Sequence, residues 1–116
     1  MLDFFIESIN IPEEDMAKIS ELNFKEALNL SKSKGDFKKS AYYCGDLVML
    51  YMKKGDLINA YKYTSNLAGY AEGEAKPLVE EFCGQLEARI NAGIKEPPEE
   101  LVKKAEVICH KIRVGP

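Results

Sequence analysis

Tryptophan is absent from this sequence, histidine occurs once, and cysteine occurs three times, at positions 44, 83 and 109. Each scarcity excludes something. A metal centre normally takes three or four protein ligands, and one imidazole with three widely spaced thiols, none in a Cys-x-x-Cys pair, does not supply such a set. An odd cysteine count points to reduced thiols in a cytosol rather than to a disulfide framework. No run approaches the roughly 18 apolar residues of a membrane-spanning helix. The start, Met-Leu-Asp-Phe-Phe-Ile-Glu-Ser-Ile, lacks a cationic segment, and Asp3 and Glu7 interrupt it, so a secretory signal is not expected. Nothing alternates with the period of a strand, and no Asn-Gly or Asp-Gly turn joins apolar runs. The phosphate-cradling patterns Gly-x-x-x-x-Gly-Lys-Ser/Thr and Gly-x-Gly-x-x-Gly are missing too. The expectation is a cytoplasmic protein folded as a single domain over 1–116, with no membrane association, no metal and no cofactor.

What is present reads as helix. Of the 116 residues, 46% are hydrophobic and 30% charged, values of an ordinary globular chain with enough apolar material for a core. Glycines at 35, 55, 73 and 93 punctuate the sequence at nearly even intervals. Lysines precede Gly35 and Gly55, where cations suit the negative end of a helix and Gly takes the left-handed turn that closes it. Asp36, Asp56 and Glu74 follow the first three glycines and favour the start of a further helix. Pro12 and Pro97-Pro98, each followed by acids, announce two more helices. Between these marks, Phe37, Ala41, Cys44, Leu47, Val48 and Tyr51 share a stripe. So do Leu78, Val79, Phe82, Cys83, Leu86 and Ile90, and again Leu101, Val102, Ala105, Ile108 and Ile112. The fold class is all-α: five antiparallel helices of ~16–20 residues as helical hairpins. They form either a tetratricopeptide-like array or an up-and-down bundle, with a short apolar N-terminal segment.

Charge comes in blocks. Residues 1–31 carry two basic and seven acidic side chains, 32–62 seven and three, 71–100 three and eight, and 101–116 four and one. Alternating blocks suit antiparallel neighbours that attract one another, and the basic block also suits an acidic partner or a phosphate backbone. All six Tyr fall between 42 and 70, interleaved with lysines. Tyr and Lys on one face can stack bases and contact phosphates; Tyr between paired helices instead fills the groove and leaves its hydroxyl wet. Leu2, Phe4, Phe5, Ile6, Ile9 and Ile11 either close the open side of a bundle or form a docking or dimerisation segment.

Tyr43-Cys44-Gly45-Asp46-Leu47 returns as Phe82-Cys83-Gly84-Gln85-Leu86, at a period in the range of helical-hairpin repeats. Paired mid-helix glycines point to a shared packing reason, a neighbouring helix coming close. Tyr51, Gly55 and Ala60 have the spacing of the tetratricopeptide unit, which implies a peptide- or protein-binding hairpin, although Val48 stands where a small residue is expected. Gly55-Asp56-Leu-Ile-Asn59-Ala60, then Ser65, then Gly69-Tyr70-Ala-Glu72, resembles the core of an archaeal helical family, domain of unknown function 357. That family tends to read Gly-Asp-x-Val-x-Ala, Ser-Tyr and Gly-Trp-Leu-Asp. The likeness spans about a third of the chain and implies a helical hairpin without implying an activity.

Catalysis finds few residues. Glu106 and His110 stand one helical turn apart, as an ordinary surface pair does, and adjacent Cys109 and His110 project ~100° apart on a helix. An enzyme would have to gather Glu80, Glu81, Glu106 and His110 in one pocket. The expected function is therefore non-enzymatic: a helical interaction or scaffold module that binds a protein partner or itself, as a homodimer. Phe4, Phe5, Tyr42, Tyr51, Tyr61 and Tyr63 are its candidate contact residues. The alternative is a nucleic-acid-associated module using Lys38, Lys39, Lys53, Lys54 and Lys62.

Overall fold

The computed structural model describes residues 13–94 and 96–114. Five helices run through them: α1 (Glu13–Ser33), α2 (Phe37–Lys54), α3 (Leu57–Tyr70), α4 (Ala75–Asn91) and α5 (Glu99–Val114), with no strand among the described residues. The all-α expectation holds, and the Gly-Asp dipeptides act as read. Asp36 donates its backbone N–H to the Ser31 carbonyl and Gly35 to that of Lys32, which closes α1. The Asp36 carboxylate then accepts the Lys39 N–H at 3.1 Å and opens α2. Gly55 and Asp56 repeat the arrangement between α2 and α3, with the Asn59 N–H at 3.1 Å from Asp56. Gly35 and Gly55 stand at φ +71° and +77°, the left-handed region that a side chain disfavours. At Gly73 the arrangement differs. α3 already ends at Tyr70, with Ala71 extended, and Gly73 lies inside the connection to α4.

Four helices close into a ring. α2 packs on α3, α3 on α4, α4 on α5, and α5 returns to α2, each pair antiparallel; α1 packs on the outside of α2. The bundle reading thus describes α2–α5, with α1 laid against it. Its interior holds Cys44, Leu47, Val48, Met52, Ala60, Leu67, Val79, Phe82, Leu86, Leu101 and Ala105, all buried. These are largely the residues of the three predicted stripes. Phe37 is the exception, at 59% exposed. Polar groups taken inside find partners: Ser31 and Ser40 share a hydrogen bond at 2.8 Å, and the Thr64 hydroxyl donates to the Ala60 carbonyl at 2.7 Å.

α5 reaches α2 through Gly45. The Cys109 thiol donates to the Gly45 carbonyl at 3.3 Å, and a Cβ at Gly45 would meet that sulfur at 3.2 Å. Arg113 pairs with Asp46 and lies over the Tyr42 ring on the same seam. Gly84 has nothing in the path of a Cβ, so the shared packing reason expected for the two glycines holds for Gly45 alone. Two substitutions separate the roles. Gly84→Ala should stabilise the chain by about 0.5–1 kcal/mol through helix propensity. Gly45→Leu should destabilise it by about 1–3 kcal/mol through overpacking. Urea unfolding followed by circular dichroism checks both signs.

Candidate functional site

Phe4 and Phe5 lie outside the described residues. The tyrosines named with them separate into different environments. Tyr51 and Tyr63 are 3% and 7% exposed, so these rings belong to the core and are no free contact surface. They stack with centroids 5.6 Å apart. The Tyr51 hydroxyl donates to the Glu21 carboxylate at 2.9 Å, and Lys25 and Lys54 stand over its ring. This knot fastens α1 to α2, with Lys54 also 3.8 Å from Glu21. Burial first, then the hydrogen bond and charge of Glu21, hold the Tyr51 hydroxyl well above the usual phenol range. Tyr61 is half-buried against the core.

Tyr42 sits elsewhere, in a cleft at the end of the bundle where α2 begins, α3 ends and α5 ends. The cleft has a volume of about 490 Å³, and Phe37, Ala41, Tyr42, Tyr70, Ile112 and Val114 form its apolar walls. Phe37 stacks on Tyr70 with centroids 5.9 Å apart. Lys38 and Lys111, with Glu72 and Glu74, bring both signs of charge to it. Phe37 and Val114 stay largely exposed, at 59% and 68%. The volume falls in the range of ligand pockets, roughly 300–1,000 Å³. The stripe pattern could not find this site, because Phe37 reads as core by spacing. Its position at the first residue of α2, where the ends of α3 and α5 line the cleft without covering the ring, is a tertiary fact.

The five lysines do not share one face. Lys38 lines the cleft, whereas Lys53 stands near Glu96 and Glu99 at the other end of α2, about 23 Å along the helix. Lys54 turns to Glu21, Lys62 lies over the Tyr63 ring, and Lys39 is exposed. Glu80, Glu81, Glu106 and His110 are exposed on α4 and α5, and Glu81 pairs with Lys104 at 3.9 Å. The three cysteines are free thiols. Burial pushes Cys44 and Cys109 up to about 12, so neither is a thiolate near neutral pH.

Comparison with family models, with curated proteins and with solved structures returned no match.

The buried hydroxyl and thiols fix a pH dependence. A group whose pKa is raised by folding keeps its proton in the native chain while the unfolded chain loses it. The contribution of Cys44 and Cys109 is complete below about pH 9, and that of Tyr51 below about pH 10. Each is lost as pH rises further. The urea midpoint should fall progressively above pH 9, and Tyr51→Phe should remove the part that begins near pH 10. At neutral pH, Tyr51→Phe should cost about 0.5–1.5 kcal/mol for the lost hydrogen bond, and Tyr51→Ala about 3–5 kcal/mol for the lost ring.

Proposed function

We propose that the chain is a non-enzymatic helical interaction module whose bundle-end cleft receives an apolar side chain of a protein partner. The observation that supports this most is the exposure of Phe37. It is a large aromatic at the mouth of a 490 Å³ cleft, stacked on Tyr70, with Val114 exposed beside it. An aromatic pair with an apolar floor and a rim of mixed charge is how interface hot spots are built. The rim chooses the surroundings of the anchor. Lys38 and Lys111 suit an acidic flank, and Glu72 and Glu74 suit a basic one. The partner segment is thus an aromatic or branched aliphatic anchor with charges of both signs beside it.

The nucleic-acid reading has less behind it. Its lysines are split between the two ends of α2 and the flank of α3, and two of them are engaged with Glu21 and Tyr63. Phosphate tracking needs cations along one groove.

Selection of displayed peptides on the immobilised chain tests the reading. Enriched peptides should share an apolar anchor, and Phe37→Asp with Val114→Asp should weaken them by roughly tenfold or more. Both positions are surface-exposed, so the variant should keep its unfolding midpoint near that of the native chain. Enriched peptides that bind the variant undiminished, or no enrichment at all, would sink the cleft as the binding site.

A further inference from the structure

α1 has two faces that carry apolar residues. Phe24, Leu28 and Ser31 turn to α2, the one helix that α1 touches among the described residues. On the other side Met16, Ile19, Asn23, Glu26 and Leu30 are all exposed. Their spacing of three, four, three and four residues is that of the a and d positions of a coiled-coil seam. Ile19 and Leu30 stand 47% and 57% exposed, and Leu22, beside the seam, 63%. No described helix covers this face.

We propose that the seam is a dimer interface, on which α1 of a second copy of this chain packs antiparallel. Charge decides both the occupant and its direction. α1 begins with Glu13-Glu14-Asp15 and ends toward Lys32 and Lys34. A parallel pair would set acidic start against acidic start and Glu26 against Glu26, which repel. An antiparallel pair about a two-fold axis between residues 24 and 25 sets the acidic start of each α1 toward the lysine-bearing end of the other. The same register places Ile19 against Leu30 and Met16 against Ser33. Asn23 then meets Glu26 twice, once on each side of the axis. An amide donor facing a carboxylate satisfies both polar groups, and shifting the helices by a heptad breaks both pairs. A polar layer of this kind fixes register at some cost in stability. One helix pair makes an interface at the small end of specific complexes, below about 1,200 Å² in total. Weak association is therefore expected.

The inference rests on the reading of the chain as an interaction module but uses a surface that shares no residue with the cleft. Sedimentation of the full-length chain across the micromolar range tests it. The native chain should pass from monomer to dimer, and Ile19→Asp with Leu30→Asp should shift the midpoint upward by roughly tenfold or more with its helix content unchanged. In a Cys83→Ser background, Ile19→Cys chains should cross-link to Leu30→Cys chains and not to one another. Phe37→Asp should leave dimerisation intact, so failure at the cleft and failure at the seam are told apart. A chain that stays monomeric throughout overturns the proposal, as does a dimer indifferent to the Asp substitutions or a cross-link between two Ile19→Cys chains. A monomer whose thermal midpoint falls on Ile19→Asp with Leu30→Asp also overturns it and assigns the seam to residues 1–12 of the same chain.

Discussion

One helix must be approached by three others. α2 meets α1, α3 and α5, and that is possible because the faces it offers are built from small residues. Ser40, Ala41, Cys44, Gly45 and Val48 are all buried. Between them they let helix axes draw close without large side chains intervening, and Leu47, Tyr51 and Met52 fill what remains. The contact at Gly45 is the tightest constraint. With the Cys109 sulfur only 3.2 Å from where a Cβ would stand, the absence of a side chain at Gly45 lets α5 come close to α2. The ring of four helices closes at that point. α3 and α4 then have a fixed space to fill, and the cleft is what the ring leaves open where α2 begins and α5 ends.

Electrostatics follows this plan and does little to set it. Lys54 pairs with Glu21 and Lys104 with Glu81, each bridge joining blocks of opposite sign, whereas Arg113 with Asp46 joins two basic blocks and Arg89 with Glu100 pairs within the acidic one. α2, from the basic block, and α3, whose one charged residue is Lys62, share no ion pair among the described residues. They are held by apolar packing and by the Tyr51–Tyr63 stack. Exposed pairs contribute about 0–1 kcal/mol each. The knot at Tyr51 differs in kind: a buried hydroxyl donates to a carboxylate, and burial makes leaving it unpaired costly.

Local structure was legible where one residue type answers one local need. Gly35, Gly55, Gly73 and Gly93 all adopt positive φ, and Asp36 and Asp56 cap as their position implies, because helix ends are satisfied within a few residues of chain. The buried stripes of α2, α4 and α5 were legible for the same reason, since one helix has one period. Contacts between distant segments were not. Tyr51 falls on the α2 stripe and yet, like Tyr63, reads as a candidate contact residue, because tyrosine accepts either setting; the hydrogen bond from Tyr51 to Glu21, thirty positions away, was not legible. Phe37 reads as core because it falls on the α2 stripe; it emerges at the cleft because the ends of α3 and α5 line that space without filling it. The lysines of 32–62 look like one basic face in sequence, yet a helix turns 100° per residue and distributes them around α2 and α3.

α1 stands apart energetically as well as spatially. Among the described residues it touches one helix, whereas every member of the ring touches at least two. Its inner face contributes Leu28 and Ser31 to the buried set, with Phe24 partly covered. Segments with few buried contacts open at the lowest free energy, so the Glu21–Tyr51 hydrogen bond and the Ser31–Ser40 pair are what oppose its detachment. Opening α1 would bare the Tyr51 ring and the small-residue face of α2, so the ring gains from keeping α1 closed. Anything that binds the outer seam only while α1 is helical and docked adds its binding free energy to that closure. The two faces of α1 are therefore coupled through one helix: the inner face fixes the geometry that the outer face presents, and occupancy of the outer face strengthens the inner one.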